Sequence, residues 1–369
     1  MKSLYIKIYL AAFVFLLGCS EADNLQLSLN TDTLSVISVI PCSESESLCI
    51  GVISDLVIYN DSIVGVLDRI SASCFLFTID GAYLRNVGLQ GNGPGELVNP
   101  NGLIIQNDIV YIFDSGSGKV CRYTIDGTFL NETYFEANSV PLWPMLIDSI
   151  NYVGIDISYK SIDTEMYCIY TIAAYTLESA NMYPIYSDTM IYDPNDLTTY
   201  LNSTLYSHSV TANGVGSIYF AAVDEDVCEV VMAESNSMQT VYRFEYAPKY
   251  RTQEEIEEES AIINRILASR GNSGYAYNYR CRTYRSLIAP NSLYADSNYI
   301  YILDGRQYNN SIHVYDKEFE LQKYLKLGGL NAEDVTEHLW LYLSENYIAC
   351  FNMYPEMDSR VLIYPKPGV

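Results

Sequence analysis

The sequence predicts an all-β fold, a β-propeller of six blades, with one inserted helix near residues 252–270. Three observations predict it. The chain has 369 residues, 49% of them hydrophobic, with 35 tyrosines and two tryptophans, which is ample β-favouring material for one large strand-built core. Short β-branched and aromatic runs alternate with clusters of turn formers. These runs also repeat: residues 54–84 align without a gap on residues 100–130, an offset of 46, so that Ile63–Asp68 falls on Ile109–Asp114 and Thr78-Ile79-Asp80-Gly81 on Thr124-Ile125-Asp126-Gly127.

At the N-terminus, Lys2 and Lys7 precede the apolar run Ile8–Leu17, which is too short to span a bilayer comfortably and suits the core of a secretory signal. Leu16-Leu17-Gly18-Cys19 resembles a bacterial lipobox. That resemblance implies removal of residues 1–18, lipid on Cys19 and a tether over 19–30, with the propeller occupying 31–369. The alternative is a plain secretory signal with an incidental cysteine. No later segment approaches 18 consecutive apolar residues, so the lipid is the expected anchor. The expected location is the outer membrane, on its periplasmic or cell-surface face.

A third copy of the repeat follows at Pro290–Leu293 and Tyr299–Asp304, with His313–Asp316 as its next strand and turn. Weaker echoes begin at Asn151, Gly216 and Asn346. That makes six units, each the length of a four-stranded blade. The insertion before the fifth unit carries the helix: Thr252 and Glu255 form a capping box, Glu254–Glu259 precede Arg265 and Arg270, and Ile256, Ile263 and Leu267 would face the propeller. Leu34–Ile40 is expected to close the ring as the outer strand of the blade ending Arg360–Tyr364, removing an exposed edge.

Residues 88–97, GLQGNGPGEL, invite a phosphate-cradle reading. The context fails it, since no helix opens on the last glycine and no Gly-Lys-Ser or Gly-Lys-Thr follows. Gly91-Asn92-Gly93-Pro94-Gly95-Glu96-Leu97, then Pro100–Leu103, Val110–Asp114, Val120, Tyr123 and Asp126–Leu130, is instead similar to an NHL repeat. Together with the lipobox, the chain resembles the six-bladed TolB-like or NHL-like propeller lipoproteins of Gram-negative anaerobes. Gly91, Gly93 and Gly95 are then structural, connecting one blade to the next.

The net charge of −24 disfavours nucleic acid and anionic headgroups as partners. Of the cysteines after Cys19, Cys42 and Cys49 close a short loop and form a possible disulfide; the others are scattered, most of them within apolar strand patterns. Asp68, Asp114 and Asp304 recur at the end of the same strand. They read either as caps of the following turn or as a calcium-holding ring of channel carboxylates; repetition at equivalent positions favours the caps. His208, His313 and His338 are the only histidines and no GxSxG elbow is present, so no catalytic residue, metal ligand or cofactor is assigned. The expected function is a lipid-anchored, non-enzymatic binding module for a glycan, peptide or protein; the alternative is a calcium-dependent hydrolase or lactonase using channel carboxylates.

Overall fold

The computed structural model describes residues 31–41, 43–45, 48–135, 140–162, 165–192, 208–223, 227–234, 237–269, 279–285, 288–304, 311–330, 339–352 and 360–368. Six antiparallel sheets succeed one another along the chain. Blade 1 is Ile53–Tyr59, Ile63–Asp68, Ser73–Thr78 and Tyr83–Val87; blade 2 is Pro100–Gln106, Ile109–Asp114, Lys119–Thr124 and Phe129–Tyr134. Blade 3 is Leu142–Leu146, Asn151–Ile162, Glu165–Thr176 and Ser179–Ile191; blade 4 is His208–Ala212, Ile218–Val223, Val227–Glu234 and Ser237–Glu245. Blade 5 is Ile288–Ala295, Ile300–Asp304, Ser311–Tyr315 and Leu321–Leu327, and blade 6 contributes Leu339–Leu343, Tyr347–Asn352 and Arg360–Pro365.

In blades 1 and 2, burial falls from the inner three strands to the last. In blade 2 the first three strands are almost wholly buried, whereas Phe129–Tyr134 is largely exposed. This gradient explains why the inner strands read as apolar runs rather than alternating patterns, for both of their faces are covered by neighbouring blades. The core is accordingly divided into six apolar clusters, one per blade interface. Cys74, Cys121, Cys228 and Cys350 are buried thiols within these interfaces, and Cys168 is buried as well.

The ring closes at the N-terminus through the later part of the expected Leu34–Ile40 segment, while Leu34 itself pairs with blade 5. Ser38–Pro41 pairs antiparallel with Arg360–Pro365, Ser38 opposite Ile363, and completes blade 6. A second closure was not legible: Thr31–Leu34 adds in parallel to Leu321–Leu327 as a fifth strand of blade 5. The start of the chain therefore clasps both final blades, and each clasp covers a sheet edge.

The repeat alignment needs one correction. From the second strand onward the offset of 46 holds, but blade 1 turns between Tyr59 and Ile63 while blade 2 turns between Gln106 and Ile109. The blade 1 turn is one residue longer, so the first strands align one position away from the gapless match. Both turns place an Asn-Asp pair at positive φ, Asn60-Asp61 and Asn107-Asp108, as type I′ geometry requires.

Among the described residues one helix, α1 (Gln253–Ser269), lies between blades 4 and 5. Its capping box forms, with Glu255 N–H donating to Thr252 Oγ1 at 3.2 Å and Thr252 N–H to Glu255 Oε2 at 2.6 Å. Its packing differs from the expectation. Ile256 buries itself against Tyr279 and Cys281 of the same insertion, not against a blade, because Arg251 and Arg285 grip Glu259 at 2.9 and 2.8 Å and bind the helix to its own return segment. The side chains of Ile263 and Leu267 lie outside the described residues.

Candidate functional site

The first strands of all six blades surround a central channel, and one end of that channel widens into a cavity of about 840 Å³. It opens on the face carrying the turns between first and second strands, among them Asn60, Gly214, Asn298 and Asn346. Deeper in, the walls are aromatic: Trp143, Trp340, Tyr294 and Tyr342 line it.

The two tryptophans are the only ones in the chain, and they meet edge to face with ring centroids 5.6 Å apart and planes at 77°. Trp143 is reached through a break in strand pairing between Leu142 and Met145. Its backbone holds φ +48°, a left-handed conformation that costs an ordinary residue about 1–2 kcal/mol. The next residue, Pro144, packs over Gly102, where an added Cβ would meet Pro144 Cδ at 2.4 Å. The neighbouring blade thus makes room for the bulge with a glycine.

Asp55 lies at the deep end of the cavity. Its Oδ1 accepts the N–H of Leu56 at 2.8 Å and its Oδ2 that of Leu103, in the next blade, at 2.7 Å. Protein surrounds this carboxyl except along the channel, and burial pushes it up to about 7 against the opposing pull of the two N–H groups. Burial also raises Tyr294 and Tyr342, and the Asp55 charge raises them further. Nearer the mouth, Lys366 Nζ reaches Asp296 Oδ2 at 2.9 Å and lies 5.3 Å from the centre of the Tyr301 ring. Burial pushes the Asp296 carboxyl up, but the Lys366 bond, the N–H groups of Asn298 and Tyr299 and the Tyr301 hydroxyl together hold it below the usual range.

The residues singled out in the sequence stand elsewhere. Asp68 ends the second strand of blade 1, toward the face opposite the cavity mouth, and accepts N–H bonds from Gly51, Val52, Ile70 and Ser71 at 2.7–3.3 Å. Asp114 repeats the arrangement with Val98, Asn99 and Gly116 N–H at 2.7–3.1 Å and adds the Ser117 hydroxyl. Each carboxylate ties the following turn to the connection that enters its own blade. Asp304 is buried 3.6 Å from His313 Nε2. Asp68, Asp114 and Asp304 do not converge, and among the described residues no three His, Cys, Asp or Glu side chains are placed to share a metal ion.

In the glycine-rich connection from blade 1 to blade 2, Gly93 N–H donates to Glu96 Oε2 at 2.7 Å and Gly95 N–H to Glu132 Oε2 at 3.1 Å. Lys119 Nζ pairs with Glu132 at 2.9 Å beneath this loop. Gly95 holds φ +69°, and a Cβ there would lie 2.6 Å from the Phe129 ring; a Cβ on Gly91 would lie 2.0 Å from Glu96 Oε2, and one on Gly93 3.1 Å from the same atom. Cys19 and Cys42 lie outside the described residues, as do the Cys49 side chain and His338.

Asp55, Trp143, Tyr294, Trp340 and Tyr342 were not among the candidate site residues read from the sequence. The available signals were an acid inside the apolar strand Ile53–Ile58 and the scarcity of tryptophan in a tyrosine-rich chain.

A family model described as a domain of unknown function, DUF4934, matches residues 19–291. The chain belongs to the DUF4934 family. The match takes in blades 1 to 4 and α1, so it includes Asp55 and Trp143, while Tyr294, Trp340 and Tyr342 lie beyond it. No curated protein matches the DUF4934 chain. Among solved structures it is similar to a Bacteroides fragilis protein described as exported, with 13% identity and a TM-score of 0.49 over 92% of this chain and 99% of that one. It is also similar to a DUF4221 family member from Bacteroides vulgatus, with 12% identity and a TM-score of 0.46 over 90% and 96% of the two chains. A gluconolactonase from Xanthomonas campestris aligns with 8% identity and a TM-score of 0.44 over 90% and 98%.

Proposed function

We propose that this DUF4934 chain is a lipid-anchored, extracytoplasmic binding module that holds a small ligand, or the end of a larger glycan or peptide, in its channel cavity. The observation that carries the reading is the cavity itself. It is open at one end, walled by Trp143, Trp340, Tyr294 and Tyr342, and provided with a few polar groups at fixed positions, the usual composition of a ligand pocket. The strain held at Trp143 supports it, since an unfavourable backbone conformation persists only where its surroundings impose it. The extracytoplasmic address rests on Lys2, Lys7, the apolar run and Leu16-Leu17-Gly18-Cys19. Of the three carboxylates that a calcium enzyme would have used, Asp68 and Asp114 have their oxygens engaged by backbone N–H groups, and Asp304 lies 3.6 Å from His313 Nε2.

Two measurements test this. Labelled palmitate should enter the wild type and not Cys19→Ser; label retained in the variant removes the anchor. Full-length protein in detergent, titrated calorimetrically against oligosaccharide and short-peptide panels, should bind a member of one panel, and Trp143→Ala and Tyr342→Ala should each weaken that binding at least tenfold while circular dichroism stays that of the wild type. Binding indifferent to both changes, or calcium-dependent ester or lactone hydrolysis, would overturn the reading.

A further inference from the structure

We propose that the channel cavity takes an organic cation, an amine or quaternary ammonium, with its charge against Asp55 and its aliphatic body against Trp143, Trp340, Tyr294 and Tyr342. This rests on the cavity being the binding site and specifies the chemistry of what enters it.

The argument begins with charge. Among the described residues of the cavity lining, Asp55, Asp296 and Glu345 are the acids and Lys366 is the one cation. Lys366 is committed to Asp296 at 2.9 Å. Among the described residues no lysine, arginine or histidine pairs with Asp55, whose partners are two backbone N–H groups. An enclosed carboxylate is expensive without a counter-charge, and proteins ordinarily supply one. Here the two N–H bonds occupy about half of the carboxylate's acceptor sites. The missing complement is positive, a proton or a cation from outside the chain, and above about pH 7 the cation is the one that serves.

The walls select the same sign. Aromatic rings present negative faces, and a cation over such a ring gains about 0.5–2 kcal/mol, more as it is desolvated. An anion is repelled by both the rings and Asp55, and a neutral ligand leaves Asp55 uncompensated. A hard divalent ion wants six to eight oxygen ligands, or six in a near-ideal octahedron. One carboxylate among aromatic rings instead suits a weakly hydrated ammonium carrying carbon substituents. The net charge of −24 adds long-range attraction for such a ligand.

The two tryptophans provide the readout, because both line the cavity and the chain has no others. Full-length protein is titrated with choline and, separately, with its uncharged analogue 3,3-dimethylbutanol at constant ionic strength. Choline should change the intrinsic fluorescence saturably, and the alcohol should act at least tenfold more weakly. Choline should also bind about tenfold more weakly at pH 6 than at pH 8, because a carboxyl titrating near 7 is roughly one-tenth ionised at the lower pH and nine-tenths at the higher. The groups facing Asp55 do not interfere: Tyr294, Tyr342 and the Cys74 thiol are all raised and remain neutral in this range, Asp296 remains ionised, and among the described residues no histidine lines the cavity. Asp55→Asn should abolish both the preference for choline and its pH dependence. Because that variant also disturbs the Leu56 and Leu103 bonds, the wild-type pH series is the decisive arm if it folds poorly. Equal, pH-independent responses to choline and the alcohol, or silence toward choline beside a response to a neutral saccharide, would overturn the cation while leaving the binding site in place. Silence toward every probe would overturn both.

Discussion

Two adjacent rungs of the same strand ladder have opposite characters. At the last rung of the second strand, blades 1, 2 and 5 carry Asp68, Asp114 and Asp304, and the first two bind the backbone in almost the same way. One rung inward, the positions on the first strand are unlike one another: Asp55 opposite Leu67, Gly102 opposite Phe113, Leu142 opposite Ile155 and Trp340 opposite Phe351. The outer rung repeats in blades 1 and 2 because there the carboxylate holds the entering connection against the following turn. The inner rung faces the channel, where six blades meet one shared space, and symmetry there would give six copies of one group instead of a site. Sameness between repeats marks the scaffold, and difference at a symmetric position marks the place where chemistry can be specific.

The largest test of this contrast removes a repeated aspartate. Asp68→Ala or Asp114→Ala leaves several partly buried N–H groups without their acceptor, and each should cost about 2–4 kcal/mol by chemical denaturation. The double variant should be additive within about 0.5 kcal/mol, since the two share no partner. A calcium-dependent melting temperature that disappears in either variant would instead make these residues one shared site.

The channel carboxylate should respond to pH in the opposite direction from an ordinary salt-bridged acid. Its folded-state value lies above the unfolded one, so the native state binds the extra proton, and stability falls as pH rises from about 4 to about 7. Relative to Asp55→Asn, the wild type should lose on the order of 2–4 kcal/mol across that window. A difference between the two proteins that does not vary with pH would mean that Asp55 is not enclosed as described.

The smallest effect distinguishes the glycines. Gly95→Ala forces an ordinary residue to φ +69° and against Phe129, and should cost about 1–3 kcal/mol. Gly93→Ala meets only the movable end of Glu96 and should cost less than about 1 kcal/mol. Equal losses would show that the connection is held as a unit rather than by the left-handed Gly95.

This contrast also explains what could be read in the sequence. The six units, the closing strand at Ser38–Pro41 and the capping box of α1 were legible because repetition and local hydrogen-bond chemistry leave periodic traces. Asp55, Trp143, Trp340, Tyr294 and Tyr342 come from four blades and share no local pattern; only closure of the ring brings them to one cavity. The one-residue slip in the first strand had the same cause, since turn length changes without disturbing the match on either side. The parallel strand Thr31–Leu34 pairs with residues nearly a whole chain away, and its sequence carries no sign of that partner.

The central claim is that the channel holds an open, negatively charged, tryptophan-lined site, and collisional quenching of the intrinsic tryptophan fluorescence tests it most directly. At high ionic strength, where the net charge of the whole chain is screened, acrylamide and caesium should both quench, iodide should quench far less, and the advantage of caesium over iodide should shrink in Asp55→Asn. Quenching by iodide as strong as by caesium, or emission that no quencher reaches, would contradict the account and leave the two tryptophans as ordinary members of a closed core.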